Sequence, residues 1–148
     1  MTRDKLANSY HERGFNCAQA VLASFCAETG LDERTALAVA GGFGGGLRHG
    51  DVCGAVSGAI MAIGLTHPYN TEGDAAAKGK IAELTREFHR RFLKSHPALT
   101  CRELLGVDIS TPEVLAEAQS SGLMKGRCPG FIGDAALLCE QLLNEQKQ

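Results

Sequence analysis

Residues 73–94, GDAAAKGKIAELTREFHRRFLK, carry the clearest helical pattern in the chain and decide its fold class. Large apolar residues recur there at spacings of three or four positions, which puts them on one face of an α-helix, while charged residues take other positions. The apolar face consists of Ile81, Leu84, Phe88 and Phe92. The segment therefore predicts a long amphipathic helix that packs one side against a core and ends before Pro97.

The same helical spacing extends over most of the remaining chain, and no run of alternating residues indicates a strand. We therefore predict an all-α fold, a helical bundle of about seven or eight helices with a Gly-rich loop before the central helix. The predicted helices cover about residues 3–12, 17–30, 33–40, 52–65, 73–94, 101–105 and 112–120, with a last helix that begins between residues 129 and 134 and reaches residue 143. No linker or internal repeat divides the chain, which predicts one domain over residues 1–148.

The composition is that of an ordinary folded protein. A chain of 148 residues, 44% of them hydrophobic and 22% charged, is long enough to bury one core. Its net charge of -2 gives no basic surface for phosphates, so nucleic acid is not an expected partner. The N-terminal stretch MTRDKLANSYHERGFN is polar where a secretory signal would be apolar, and Arg48, His49 and Asp51 interrupt the later apolar stretch. We expect a cytoplasmic protein without membrane insertion.

Six cysteines in such a chain are more typical of metal binding or redox chemistry than of structural disulfides. Four of them lie at a predicted helix start. Cys17 follows Asn16, a predicted N-cap that forms a capping-box pattern with Gln19, and Cys53 lies two residues after Asp51, a candidate cap. Cys101 follows Thr100, which forms a capping-box pattern with Glu103, and Cys128 precedes Pro129. The first turn of a helix has unpaired N–H groups and a partial positive charge, which favour a thiolate. If these starts converge, they form a sulfur-rich site. The alternative is that the four cysteines fill the core.

The other two cysteines, Cys26 and Cys139, lie inside predicted helices rather than at their starts. Cys26 is nine residues after Cys17, which is about half a turn round a continuous helix, so the two would face opposite ways. Leu138, Leu142 and Leu143 surround Cys139 in the sequence. We interpret both cysteines as core residues.

Residues 41–65, GGFGGGLRHGDVCGAVSGAIMAIGL, form the glycine-rich segment. It matches neither the dinucleotide-binding pattern G-x-G-x-x-G nor a P-loop. Gly54, Gly58 and Ala62 recur every four residues, which leaves one helix face small enough for another backbone or a cofactor to approach. Arg48 and His49 precede Cys53 closely enough to lower its pKa or, for His49, to add a ligand; they also suit a solvent-facing loop.

Residues 53–58 read C-G-A-x-x-G, and the chain resembles the redox-active cysteine family named for its C, GCAxxG, C, C pattern. The other cysteines of the pattern are Cys17 after Phe15-Asn16, Cys101 in TCRELLG and Cys128 in GRCPG. The resemblance implies a small cytoplasmic redox or metal-binding protein whose site is formed by these four cysteines. It also implies an all-helical domain similar to the one that accompanies split-Soret cytochrome c, where a cysteine-bound iron-sulfur centre has been suggested.

Three functions follow from this pattern. In the leading hypothesis Cys17, Cys53, Cys101 and Cys128 bind an iron-sulfur cluster or another thiophilic metal and transfer electrons. In the second the chain is a thiol-disulfide oxidoreductase with Cys53 as nucleophile and another cysteine resolving the mixed disulfide. In the third a structural zinc ion stabilises a helical interaction module. The expected partner is an unidentified redox protein; a homodimer, the metal identity and catalytic turnover remain open.

Overall fold

A computed structural model describes all residues from 1 to 148 and confirms the all-α prediction. It has nine α-helices: α1 Arg3–Glu12, α2 Cys17–Ala23, α3 Cys26–Thr29, α4 Glu33–Val39, α5 Gly54–Thr66, α6 Ala75–Ser95, α7 Cys101–Leu105, α8 Pro112–Ser120 and α9 Leu123–Glu145. A short turn of the wider π type covers Gly46–Gly50. Strand-like pairing is limited to one isolated antiparallel bridge between Val52 and Thr100.

Two predicted helices differ from the structure. The helix predicted over residues 17–30 is two helices, because the Phe25 backbone leaves the helical region with φ -108° and ψ 15°. The neighbouring Ser24 hydroxyl donates to the Val21 carbonyl oxygen at 2.7 Å, a local bond typical of helix ends. The last helix starts at Leu123, after Gly122 in the left-handed conformation, so the start predicted between residues 129 and 134 is wrong.

The correction to α9 changes the position of one predicted site residue. Cys128 lies in the second turn of this helix, and Pro129 lies inside the helix rather than at its first position. Because proline has no N–H, the helix lacks one backbone hydrogen bond at this point. Likewise α5 begins at Gly54 with Cys53 as its N-cap, so the predicted cap at Asp51 is wrong.

The buried residues form one hydrophobic cluster, and α5 lies at its centre against α2, α6 and α9. The small face of α5 meets the backbone of α2 directly. A Cβ atom added at Gly58 would lie 2.6 Å from the Ala18 carbonyl oxygen, and one added at Gly54 would lie 3.0 Å from the Ala18 nitrogen. The glycines of this face therefore serve close helix packing.

The amphipathic helix that the sequence predicted is α6, and its buried side chains are Leu84, Phe88 and Phe92. It lies against α9, and two hydrogen bonds of 2.7 Å from the Arg91 guanidinium to the Glu145 carboxylate join the two helices. In no helix, including these two long ones, is there an apolar stretch of the length needed to cross a membrane.

Candidate cysteine site

Cys53 and Cys101 are brought together by the short antiparallel contact between residues 51–53 and 99–101. The Cys53 N–H donates to the Leu99 carbonyl at 2.7 Å, and the Cys101 N–H donates to the Asp51 carbonyl at 2.8 Å. Arg102 reinforces the contact by donating to the Asp51 carboxylate at 2.6 Å. As a result α5 and α7 start side by side, with Cys53 as the N-cap of one and Cys101 as the first residue of the other.

Cys17 reaches the same place from α2, where it is the first helical residue. Asn16 caps this helix: its side chain accepts from the Gln19 N–H at 2.9 Å, and the Gln19 side chain accepts from the Asn16 N–H at 2.9 Å. This is the capping box that the sequence predicted. A Cβ atom at Gly54 would lie 3.3 Å from the Cys17 Cβ, so the absence of a side chain at Gly54 lets α2 start against α5.

Cys128 comes from α9, which is fastened on both sides of it. The Arg127 guanidinium donates to the Leu104 carbonyl oxygen of α7 at 3.1 Å. The Asn8 side chain of α1 donates to the Pro129 carbonyl oxygen at 3.1 Å. These two contacts hold Cys128 between α7 and α1 although it does not occupy a helix start.

The four cysteines border one closed pocket of about 20 Å³, which we call the sulfur pocket. Its remaining lining is apolar and consists of Gly45, Leu104, Leu105, Met124 and Phe131. Cys53, Cys101 and Cys128 are buried, with 2%, 9% and 6% of their surfaces exposed, and Cys17 is half-buried. The structure therefore brings together all four cysteines that the sequence singled out.

An open cleft of about 520 Å³ lies next to the sulfur pocket, and Cys17 and Cys128 line both. Cys53 and Cys101 do not reach this entry cleft. We therefore call Cys17 and Cys128 the outer pair, and Cys53 and Cys101 the inner pair. The sequence did not predict the cleft, because its walls come from segments far apart in the chain: His11, Asn16, Arg48, Ile109, Gln119 and Lys125.

Residues 15–142 match the family described as Putative redox-active protein (C_GCAxxG_C_C). The chain belongs to this family. No curated protein and no solved structure matches the chain. The matched residues contain all four cysteines of the sulfur pocket. The segment that places the chain in this redox family is therefore the segment whose cysteines converge.

In the inner pair, the Cys53 thiol ionises more readily than the Cys101 thiol. A hydrogen bond from the Cys101 thiol lowers the pKa of Cys53, and the backbone N–H groups of Ala55 and Val56 lower it further against the opposing effect of burial. The same hydrogen bond and burial raise the pKa of Cys101. The sequence left two positions open for Arg48 and His49, one beside Cys53 and one in a solvent-facing loop. Both residues are solvent-exposed, so the structure supports the loop position.

The outer pair has the same asymmetry. Cys17 donates a hydrogen bond to Cys128, which raises the pKa of Cys17, and burial raises it further. That hydrogen bond lowers the pKa of Cys128 against the effect of burial. Each pair therefore contains one thiol with a raised pKa and one with a lowered pKa, so that one sulfur ionises to attack more readily while its neighbour keeps a proton.

The donor set of the sulfur pocket is four thiols, the ligand type that zinc and iron-sulfur centres use. No His, Asp or Glu borders the pocket. In the arrangement described, no group of three or more His, Cys, Asp or Glu side chains has the geometry to hold a metal ion. A volume of about 20 Å³ is close to that of one water or a single ion. The pocket thus fits a metal by its chemistry, but an iron-sulfur cluster requires its walls to move outward.

The other two cysteines lie away from the sulfur pocket. Cys139 is fully buried and its thiol donates to the Ala59 carbonyl oxygen at 3.6 Å, which confirms it as a core residue. Burial raises the pKa of Cys139 to about 12. Cys26 is half-buried and begins the short helix α3, so it packs against the core only in part.

A left-handed turn forms the boundary between the sulfur pocket and the entry cleft. Gly45, Gly46, Leu47 and Arg48 have φ values of 62°, 60°, 59° and 57°. Only glycine adopts this conformation readily, and each non-glycine residue costs about 1–2 kcal/mol there. The run of glycines predicted a loop. The left-handed backbone could not be predicted, because Leu and Arg ordinarily adopt right-handed conformations. Strained backbone of this kind is typical of functional sites.

Proposed function

We propose that this chain is a thiol-based redox protein in which the outer and inner cysteine pairs store and transfer electrons by reversible disulfide formation. One observation carries the proposal: the four cysteines line a single pocket, and only Cys17 and Cys128 also line an open cleft. All six cysteines are free thiols in the structure, so the geometry corresponds to the reduced form.

The first step takes place at the outer pair, because Cys53 is 2% exposed and does not border the entry cleft. The Cys128 thiolate attacks one sulfur of a substrate disulfide, forms a mixed disulfide and releases one substrate thiolate, which takes a proton. Cys17 then loses its proton and attacks the Cys128 sulfur, which releases the second substrate thiol. The net result is one Cys17–Cys128 disulfide and two substrate thiols, with two electrons transferred to the substrate.

The inner pair is placed to reduce the outer pair again. Its Cys53 thiolate attacks the outer disulfide, and Cys101 completes the exchange, so the inner pair ends as a disulfide and the outer pair as two thiols. The inner disulfide then needs an external dithiol reductant, the expected redox partner. In this scheme the protein stores up to four electrons, two in each pair, inside an apolar pocket that excludes other reactants.

The proposal is tested by following which cysteines become linked. Reduced protein is treated anaerobically with one equivalent of hydroxyethyl disulfide, quenched at intervals with N-ethylmaleimide, and its peptides are analysed by mass spectrometry. We expect Cys17–Cys128 linkage first and Cys53–Cys101 linkage afterwards. In Cys128→Ser, oxidation of the inner pair should be slowed at least about tenfold, because its route through the outer pair is removed.

Cys26→Ser serves as the matched control, since Cys26 is a half-buried cysteine outside the sulfur pocket. This variant should oxidise in the same order and at the same rate as the wild type. Reaction confined to Cys26, or inner-pair oxidation that is unaffected by Cys128→Ser, would refute the proposal.

A second candidate is a thiophilic metal centre for electron transfer, and the observation that favours it is that all four cysteines line the same small pocket. Cys17, Cys53, Cys101 and Cys128 would hold the metal, which supplies one-electron chemistry when it is iron. A structural zinc ion would use the same four thiols. For a cluster, the apolar residues that line the pocket would have to move outward, because its volume is about 20 Å³.

The metal candidate is tested on protein kept anaerobic from lysis onward. It predicts a fixed ratio of iron or zinc to chain in the wild type and in Cys26→Ser, with loss of the metal in Cys53→Ser. Iron adds sulfur-to-metal charge-transfer absorption that bleaches on reduction, whereas zinc gives no redox response. Protein that carries no metal yet forms the two disulfides in order leaves the thiol proposal as the function.

A further inference from the structure

The entry cleft carries positive charge and no negative charge. Arg48 and Lys125 are among its lining residues, and none of the residues that line it is Asp or Glu. This local excess contrasts with the whole chain, whose net charge is -2. The cleft is therefore an electropositive concavity on a slightly acidic protein, the kind of arrangement that attracts anions.

The two strong cations of the cleft have no carboxylate partner. Arg3, Arg91 and Arg102 are paired with Glu or Asp, whereas neither Arg48 nor Lys125 forms an ion pair or a side-chain hydrogen bond within the chain. Arg48 is also held at φ 57°, in the left-handed turn that borders the cleft. The Arg48 guanidinium is exposed and lines the same cleft as the outer pair, so its charge is available to a ligand bound there.

The size of the cleft limits that ligand. About 520 Å³ lies within the range of pockets that bind small molecules and is small for a folded protein partner. Two amide side chains in its wall are already used inside the protein, since Asn16 and Gln19 bond to each other and to the Gly41 and Leu37 carbonyls. The side chains left to orient a ligand therefore include Gln119, which makes no side-chain hydrogen bond, and the two cations Arg48 and Lys125.

We infer that the entry cleft selects small anionic disulfides, those with carboxylate or sulfonate groups, as oxidants of Cys17 and Cys128. The inference rests on the proposed thiol function and adds the substrate class. The chemistry balances as above: the substrate S–S bond breaks, a Cys17–Cys128 bond forms, and the two protons of the outer thiols go to the two substrate thiols. Arg48 and Lys125 bind the acidic groups while the S–S bond faces the outer pair.

Three small disulfides of similar length and different charge test this inference: dithiodipropionate, which is anionic, neutral hydroxyethyl disulfide and cationic cystamine. The rate of Cys17–Cys128 linkage should be highest for the anion and lowest for the cation, and the difference should shrink at high salt. The variant R48Q/K125Q should slow the reaction of the anion by about fivefold for each charge removed and leave the neutral disulfide unaffected. Equal rates for all three would overturn the inference.

The matched control is R86Q/K94Q, which removes two exposed cations from α6 that do not line the entry cleft. This variant has the same net charge as R48Q/K125Q, so an effect of overall charge would appear in both. The inference expects the rates of R86Q/K94Q to equal those of the wild type. Equal slowing in both variants would show that net charge and not the cleft decides the rate.

A second measurement separates failure of the inference from failure of the thiol function. Adipate is a dicarboxylate of similar length without an S–S bond, so it can bind but cannot oxidise. It should slow alkylation of Cys17 and Cys128 by neutral iodoacetamide in the wild type and not in R48Q/K125Q, whereas adipamide should protect neither. If no disulfide oxidises the outer pair, the proposed function fails. If adipate gives no protection, the anion preference fails.

Discussion

Gly58→Ala tests the contact that places Cys17 beside Cys53. Gly58 lies on the face of α5 that packs against the backbone of α2, one turn from the start of the helix. An added Cβ would lie 2.6 Å from the Ala18 carbonyl oxygen and 3.2 Å from the Val21 Cβ. The obstacle is helix backbone, which cannot rotate away as a flexible side chain would.

The expected cost follows from this geometry. The contact is short of an ordinary 3.4 Å separation by about 0.8 Å, so the two helices must move apart along much of their interface. Overpacking of this kind costs about 1–3 kcal/mol, and a rigid obstacle favours the upper end. Alanine returns about 1 kcal/mol through its better helix propensity. The free energy of unfolding should therefore fall by about 2 kcal/mol in total.

Gly64→Ala is the matched control because Gly64 lies on the same helix with no atom within 4 Å of its added Cβ. This variant should be unchanged or more stable by up to about 1 kcal/mol. Urea unfolding followed by circular dichroism measures both. With a slope of about 2 kcal/mol per molar urea, Gly58→Ala should lower the midpoint by about 1 M. Equal midpoints for the two variants would refute the close packing of α5 on α2.

Three further changes test other parts of the site. Gly46→Ala should lower the free energy of unfolding, measured with urea, by more than about 2 kcal/mol, because φ at Gly46 is 60° and the new Cβ would meet the Asp51 backbone. Gly42→Ala is its control and should show no such loss, since a Cβ added there has no neighbour within 4 Å. Asn16→Ala removes a helix cap and should cost about 1 kcal/mol in the same assay, and an unchanged midpoint would contradict the role of the capping box. The raised pKa of Cys139, about 12, keeps its thiol protonated in the folded state while the unfolded thiol ionises from about pH 9. The free energy of unfolding therefore falls as pH rises above 9, and in the wild type it should fall by about 1.4 kcal/mol per pH unit more than in Cys139→Ala. If the two proteins lose stability in parallel as pH rises, the Cys139 thiol does not titrate on unfolding.

Features set by neighbouring residues could be predicted from the sequence. The capping roles of Asn16 and Thr100 depend on side chains within three positions of the helix start, and the structure confirms them. It also confirms the predicted bounds of α1, which ends before Gly14. The amphipathic stripe of α6 depends only on helical spacing, and its central aromatic residues are buried.

The misassigned start of α9 shows where local rules fail. The sequence placed the start of this helix between residues 129 and 134, where Gly130 and Gly133 gave no clear boundary. In the structure, Gly122 provides the left-handed N-cap, and Pro129 is tolerated in the helix interior, where its carbonyl accepts from the Asn8 side chain of α1. The bond comes from a residue 121 positions away, so no local pattern contains it.

Convergence of the four cysteines could be stated only as a condition, because it depends on contacts between distant elements. The inner pair meets through backbone bonds between residues 51–53 and 99–101, a pairing of short segments with no strand pattern in the sequence. Cys17 meets the inner pair because Gly54 and Gly58 let α2 approach α5, whereas Cys128 arrives from α9, whose Arg127 and Pro129 bond to α7 and α1. The sequence showed that these glycines leave space beside α5, but it did not show whether a backbone or a cofactor fills that space.

The two pairs differ in their access to solvent, and this difference bears on how the site works. Cys53 and Cys101 line the sulfur pocket and not the entry cleft, whereas Cys17 and Cys128 line both. The backbone bonds between residues 51–53 and 99–101 keep the inner pair at the start of α5 and α7, away from the cleft. A disulfide substrate in the cleft can therefore reach Cys17 and Cys128 but not the inner pair, which is why a thiol relay has to begin at the outer pair.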